Sequence, residues 1–263
     1  MIGAIKFSFD NDSILAAITS RSGGVSRGEM ASLNMAFGVG DDPDCVLANR
    51  EASGRILGFD HRDLVVAHLE HGSRVKIVEA SDRGRGALSA ENTIPACDAL
   101  ATNSIDTPVA ILVADCAPVV LYDPIKLAVA VAHVGWRGAV ARTAQRTIEE
   151  MGRAFSSSPS DIRAGIGPCL QPFSLEVSHR EAKIVEEAYP KQPAVHYDIG
   201  KKPHLDLPFM IKQQLLDAGM ELKQIEDMRL DTMDAERFFS HRGQSGRGGR
   251  FMAVAMLRAT ARM

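Results

Sequence analysis

Short apolar runs recur along the chain, set between longer stretches in which apolar residues return every three or four positions. The runs predict strands at "ILAAIT" (14–19), "DLVVAH" (63–68), "RVKIVE" (74–79), "PVAILVA" (108–114), "PVVLYD" (118–123), "LAVAVAH" (127–133), "IRAGIG" (162–167) and "RFMAVAML" (250–257). Several are apolar throughout, which predicts burial on both faces. Helices are marked by caps as well as by period. Asp42 followed by Pro43 opens a helix to about Leu57, with proline at the first helical position, where its missing N–H costs nothing. Ser178 and Glu181 have capping-box spacing ahead of Ile184, Val185 and Ala188. Val140, Ala144, Ile148, Met151 and Phe155 form one apolar stripe directly after "GWRG". Asp206 caps another helix, with Pro208 in its first turn and Gly219 as terminator.

Strands and helices do not alternate strictly, so the pattern predicts an α+β fold rather than a Rossmann-type sheet. No fixed-period repeat or low-complexity linker divides the chain, and residues 1–263 read as a single domain. At 263 residues and 45% hydrophobic content the chain can bury a full core. Thirty basic residues against thirty-three acidic ones leave no electrostatic footprint for nucleic acid or an acidic membrane, so small-molecule partners are expected. The opening "MIGAIKFSFDNDS" has no secretory pattern and no apolar run approaches about 18 residues, which predicts a cytoplasmic location. Oligomeric state is not legible. Cys45, Cys97, Cys116 and Cys169 are widely spaced with no CxxC, and reduced thiols are expected.

Candidate chemistry gathers where apolar runs end. "ADC" closes one strand at Cys116 and "AHVGWRG" closes the next at His133, while "AHLEHG" puts His68 and His71 in a turn between two further strands. Strands lying side by side would bring such residues within a few ångströms. Two histidines and one cysteine can form a three-ligand zinc site whose fourth position stays open for water or substrate. Ligands scattered over some sixty residues match no short zinc motif.

The combination "LEHG" (69–72), "CDALATN" (97–103), "ADCAPVVLYDP" (114–124), "AHVGWRG" (132–138), "GIGPC" (165–169) and "FFSHRGQSGRGGRF" (238–251) resembles the laccase-domain, multicopper-polyphenol-oxidase-like family. Members of that family are also described as purine nucleoside phosphorylases. The likeness runs from "SLNMAFGVGDD" (32–42) to the final strand. It implies a single α+β domain with mixed sheets between helical layers, in α/β/β/α order. It also implies a zinc held by His71, Cys116 and His133, with His68 displaced from the motif and copper the less expected metal. Leu69 stands where the family usually has Gln, and "SHRGQ" replaces tandem arginines after Ser-Tyr.

The activity implied is phosphorolysis of adenosine, inosine or guanosine to base and ribose 1-phosphate, with adenosine deamination and methylthioadenosine phosphorolysis beside it. Eight histidines, most outside paired motifs, do not supply the several copper centres of a laccase. Phosphorolysis needs cations around the oxyanion, and Arg50 of "NR" (49–50), Arg137 and Arg242 are the candidate arginines among the motifs. Arg137 sits where a strand turns into a helix, beside glycines that allow close backbone approach. Asn34 could bond a purine or ribose, or hold a turn. Trp136 reads as packing, as do Met210, Met220 and Met228. Asp115 is a weak proton shuttle, since alternation turns its side chain away from that of Cys116. Two rivals use the same residues. Cys116 and His133 could be nucleophile and base of a deamidase-like amidohydrolase needing no metal. A structural zinc would require a fourth ligand, for which Cys97 and His68 are the spare residues.

Overall fold

The computed structural model describes residues 2–190, 192–197 and 202–259. Two stacked sheets form its middle. The first runs in the order β1 (Ala4–Lys6), β2 (Ile14–Thr19), β13 (Phe251–Leu257), β6 (Val109–Val113) and β3 (Val65–Val66). The second runs β12 (Ile225–Asp227), β9 (Arg163–Ile166), β7 (Ala117–Asp123), β8 (Ala128–Val134), β5 (Ala99–Thr102) and β4 (Val75–Ile77). Pairing is mostly antiparallel, but β3 with β6, β4 with β5 and β9 with β12 are parallel, so both sheets are mixed. A small antiparallel pair, β10 (Val195–His196) and β11 (His204–Leu205), lies apart.

The runs without a polar face are explained by this stacking. In β2, Ile14, Ala16 and Ile18 face the space between the sheets, together with Ile111 of β6 and Val120 of β7. Leu15 and Ala17 point the other way, onto Leu57, the last residue of helix α1 (Pro43–Leu57). The outer face of the second sheet is covered by α2 (Trp136–Val140), α3 (Thr143–Phe155), α4 (His179–Ala188) and α5 (Leu207–Asp217). The layers are therefore α/β/β/α, as the family likeness implied. The central strands of each sheet are apolar on both faces because they are sandwiched, and alternation cannot show in such strands, whereas the edge strands β1, β4 and β12 stay partly exposed.

The predicted caps are in place. Asp42 accepts from the Asp44 N–H at the start of α1, Ser178 and Glu181 form a reciprocal capping box on α4, and Asp206 accepts from the Phe209 N–H on α5. The stripe from Val140 to Phe155 is not one helix. Arg142 adopts a left-handed conformation, φ 63°, and breaks it between α2 and α3. Strands predicted at 63–68 and 74–79 shorten to two and three residues. The chain also forms β1, β5, β10, β11 and β12, which no run marked; β5 is built on alanines, poor strand formers that pairing on both sides overrides. Among the described residues no helix is long and apolar enough to cross a membrane.

Candidate active site

Pairing brings the chemistry to one end of the second sheet. β7 and β8 pair with Ala117 opposite Val134 and Pro118 opposite His133, so Cys116, one residue before β7, meets the end of β8. On the other side of β8, β5 pairs Ala99 with Ala132, which sets Asp98 beside His133. The His133 N–H donates to the Asp98 carbonyl at 2.7 Å. His71 arrives from the turn ahead of β4, in the left-handed region at φ 59°. The ligand atoms of His71, Cys116 and His133 all lie within 4.8 Å of one another. The two imidazoles meet edge to face, with ring centroids 4.8 Å apart.

Asp98 organises this trio, and the reading of the sequence did not single it out. Its Oδ1 meets His133 Nδ1 at 2.9 Å and accepts the His71 N–H at 2.8 Å, while Oδ2 accepts the Gly72 N–H at 2.7 Å. One carboxylate thereby fixes the ring of one donor and the backbone of another. With Nδ1 occupied, His133 turns Nε2 toward the donor group, the arrangement usual for metal-bound histidine. The available signal was an acidic residue inside "CDALATN", but only strand pairing shows what it faces. Burial opposes the Asp98 charge, yet the His133 ring and the two N–H groups hold its carboxyl below the ordinary range.

The "GWRG" glycines have separate tasks. A Cβ on Gly135 would lie 2.7 Å from Cys116 Sγ, so the strand end can pass the thiol only without a side chain. A Cβ on Gly138 would sit 3.0 Å from Thr143 Oγ1, whose hydroxyl donates to the carbonyls of Gly72 and Gly138 and ties the His71 turn to α2 and α3. Burial works against ionising Cys116, but the charge of His133 and hydrogen bonds from both histidines outweigh it and bring the thiol down to about 6. His133, whose burial acts the other way, is lifted to about 9 by the Cys116 and Asp98 charges. Both shifts run toward the thiolate and imidazolium forms of the pair.

The trio opens on a cleft of about 540 Å³. Trp136, Leu170 and Leu175 form apolar wall, and Arg137, Arg242, His241 and Arg250 supply polar groups. Arg137 is exposed, its guanidinium 4.3 Å over the Trp136 ring. Arg242 reaches the cleft while its NH1 donates to the carbonyls of Ser174 and Glu176. Asp115 does not face the donors as a shuttle would. Its carboxylate accepts from Thr232 Oγ1, Ser240 Oγ and the Arg242 N–H, which fastens the 240–242 turn to the strand end.

Two residues expected to touch substrate lie elsewhere. Arg50 is buried, and its guanidinium donates to the carbonyls of Met35, Gly86 and Ala87 beneath the Phe37 ring. Asn34 is fully buried, donating to the Ala36 carbonyl and Asp41 and accepting from the N–H of Ala36 and Arg250. His68 lines a neighbouring pocket of about 220 Å³ that shares Leu69, Leu112 and Arg250 with the cleft. Cys97 and Cys169 are both buried, and neither belongs to the donor group.

A family model described as multi-copper polyphenol oxidoreductase laccase matches residues 15–258. The chain belongs to this laccase-like family. It is 33% identical to purine nucleoside phosphorylase YlmD of Bacillus subtilis over 247 residues, 93% of this chain and 88% of that protein. It is 30% identical to adenosine deaminase RL5 of an unknown prokaryotic organism, over 94% of this chain and 95% of that one. Among solved structures, YlmD of Geobacillus stearothermophilus superposes with a TM-score of 0.90 at 32% identity, covering 94% of this chain and 93% of the other. The laccase-like fold thus accounts for nearly the whole chain, and the His-Cys-His group is a cluster in it that could hold a metal.

Proposed function

We propose that this protein is a zinc-dependent purine nucleoside phosphorylase, splitting adenosine, inosine or guanosine with phosphate into base and ribose 1-phosphate. Adenosine deamination and methylthioadenosine phosphorolysis belong to the same reading. The observation that carries it is the gathering of His71, Cys116 and His133 at the floor of an arginine-walled cleft. Relatives named for these activities over nearly the whole chain support it.

The donor set fits zinc. Thiolate and two imidazoles are ligands zinc accepts, and three ligands leave one position open; the donors, within 4.8 Å of one another, would draw closer to make bonds of about 2.0–2.3 Å. When bound, the metal supplies Lewis-acid polarisation of a substrate oxygen or nitrogen. The chain does the rest. Arg137 and Arg242 draw phosphate into the cleft and balance its charge. Trp136, Leu170 and Leu175 keep water away from the sugar. Asp98 holds His133 and the His71 turn in place. A phosphate oxygen forms a bond to C1′ of the ribose as the bond from C1′ to N9 breaks. The base leaves with that electron pair and takes up a proton.

The test is a nucleoside panel incubated with purified, zinc-loaded protein, with and without phosphate, and products separated by chromatography. Base and ribose 1-phosphate are expected only with phosphate. Free ribose in phosphate-free buffer would mark a hydrolase, and conversion of adenosine to inosine would mark deamination.

One observation favours a second reading. Asp98, His133 and Cys116 stand in line, with a depressed thiol, as in a cysteine hydrolase that needs no metal. Under that reading chelation leaves activity intact, and His71→Ala is nearly silent.

A further inference from the structure

We propose that Arg250 forms a built subsite for inorganic phosphate on the wall of this cleft, binding the anion through the Nε–NH2 edge of its guanidinium. The choice of phosphate rests on the phosphorylase reading; the anion site rests on the geometry of Arg250.

Arg250 lies one residue before β13, and its backbone is pinned from both sides. Its N–H donates to Asn34 Oδ1 at 2.9 Å, and its carbonyl accepts the Met35 N–H at 2.9 Å. NH1 donates to the carbonyls of Gly248 and Gly249, at 2.7 and 2.9 Å. Those carbonyls come within reach because neither residue has a side chain. A Cβ on Gly249 would lie 2.9 Å from Asn34 Oδ1, and one on Gly248 would lie 2.1 Å from Gln244 Oε1. The "GRGGRF" run and Asn34 are thereby explained together, as the frame that aims one arginine.

With NH1 committed, the opposite edge is open. Among the described residues Nε has no hydrogen-bond partner, and NH2 has only a long 3.5 Å approach to His241 Nδ1. No carboxylate of the described residues forms an ion pair with Arg250. The nearby negative groups are occupied: Asp115 accepts from Thr232, Ser240 and the Arg242 N–H, and Cys116 belongs to the donor trio. Burial lowers the guanidinium from its ordinary range, against the pull of Asp115 and Cys116, so the charge is partly stripped of water. A half-buried arginine held by one end, with two parallel N–H groups facing a cleft, matches the bidentate geometry of an oxyanion. Arg137, exposed and stacked on Trp136, lacks that frame, and Arg242 spends NH1 on Ser174 and Glu176.

The experiment is calorimetric titration of inorganic phosphate into the zinc-loaded full chain, for the unaltered protein, Arg250→Met, Arg250→Lys and Arg137→Met. Arg250→Met is expected to weaken phosphate binding by about tenfold or more, with zinc content retained and the protein still folded at the temperature of the titration, although the unpaired Gly248 and Gly249 carbonyls lower its melting temperature somewhat. Arg250→Lys should lose nearly as much, because a point charge cannot make the paired contact; Arg137→Met should lose less. A folded, zinc-replete Arg250→Met that binds phosphate as tightly as the parent overturns the proposal, as does a parent that binds none. If Arg250→Met loses zinc or melts early, Arg250→Lys decides by the same measure. Phosphate binding that depends on Arg250 in a protein that cleaves no nucleoside would sink the phosphorylase reading and leave the anion site standing.

Discussion

Asp98 touches both histidines of the donor group, through the His133 ring and the His71 N–H, and accepts the neighbouring Gly72 N–H as well. Removing such a partner from a metal ligand costs roughly 10- to 100-fold in metal affinity. Asp98→Asn should show that loss in a chelator competition, because an amide offers one acceptor oxygen where two are used. Zinc affinity equal to the parent's would reduce Asp98 to a strand-end anchor. The same geometry sets a pH dependence. Cys116 is brought down to about 6, so in metal-free protein it is thiolate above that pH and thiol below it. Burial pushes Cys97 up to about 12 and Cys169 well above its usual range, and Cys45 is also raised. Iodoacetamide should therefore modify chelated protein at Cys116 selectively near pH 7. The rate should fall as pH drops through 6, and be slow at every pH when zinc is loaded. Rapid modification of the zinc-loaded enzyme would favour the nucleophile reading.

At the scale of the element, α1 shows how a helix can carry a motif residue without presenting it to substrate. Its caps set where it starts and stops, and the buried face then receives Arg50 rather than an aliphatic side chain. That guanidinium donates to the carbonyls of Met35, Gly86 and Ala87, which among the described residues take no other hydrogen-bond donor. Charged hydrogen bonds of this kind contribute about 1.5–3 kcal/mol each. Arg50→Met should lower unfolding stability in urea by about 3 kcal/mol or more, leaving buried carbonyls unpaired. An unchanged urea midpoint with a raised KM for nucleoside or phosphate would return Arg50 to the substrate. The break at Arg142 has a comparable logic. The apolar period continues through it because α2 and α3 pack on the same face of the second sheet, so periodicity alone could not separate them.

Across the whole molecule, the donors come from three segments, at positions 71, 116 and 133, that only the completed second sheet draws together. A metal bound there is bound by the native state alone. Zinc at 100 times its dissociation constant should then stabilise folding by about 2.7 kcal/mol. Chelation is expected to lower the thermal midpoint of the parent and to leave that of His71→Ala unmoved. A parent whose midpoint ignores both zinc and chelator would show that the trio holds no metal in solution.

The sequence by itself determined the elements whose signal is local. Caps at Asp42, Ser178 and Asp206 act within three residues, so the helix starts were legible, and β2 runs over the predicted Ile14–Thr19. Cys116 and His133 were legible as a pair because one hairpin separates them: Cys116 stands just before β7 and His133 near the end of β8, while β6, the strand that "ADC" closes, belongs to the other sheet. The choice of His71 over His68 came from resemblance rather than from spacing, since the turn that carries both returns to the site only through β4 and β5. The tertiary structure alone decided which polar residues face the cleft. Arg50 and Asn34 stand inside motifs yet spend their donors within the fold, on backbone carbonyls and on Asp41, whereas Asp98 and Arg250 gain their direction from strand pairing and from a glycine frame. A side chain's chemistry is written in its residue type. Its free valence is what remains after the packed fold has taken its hydrogen bonds, and that remainder is fixed by neighbours distant in the chain.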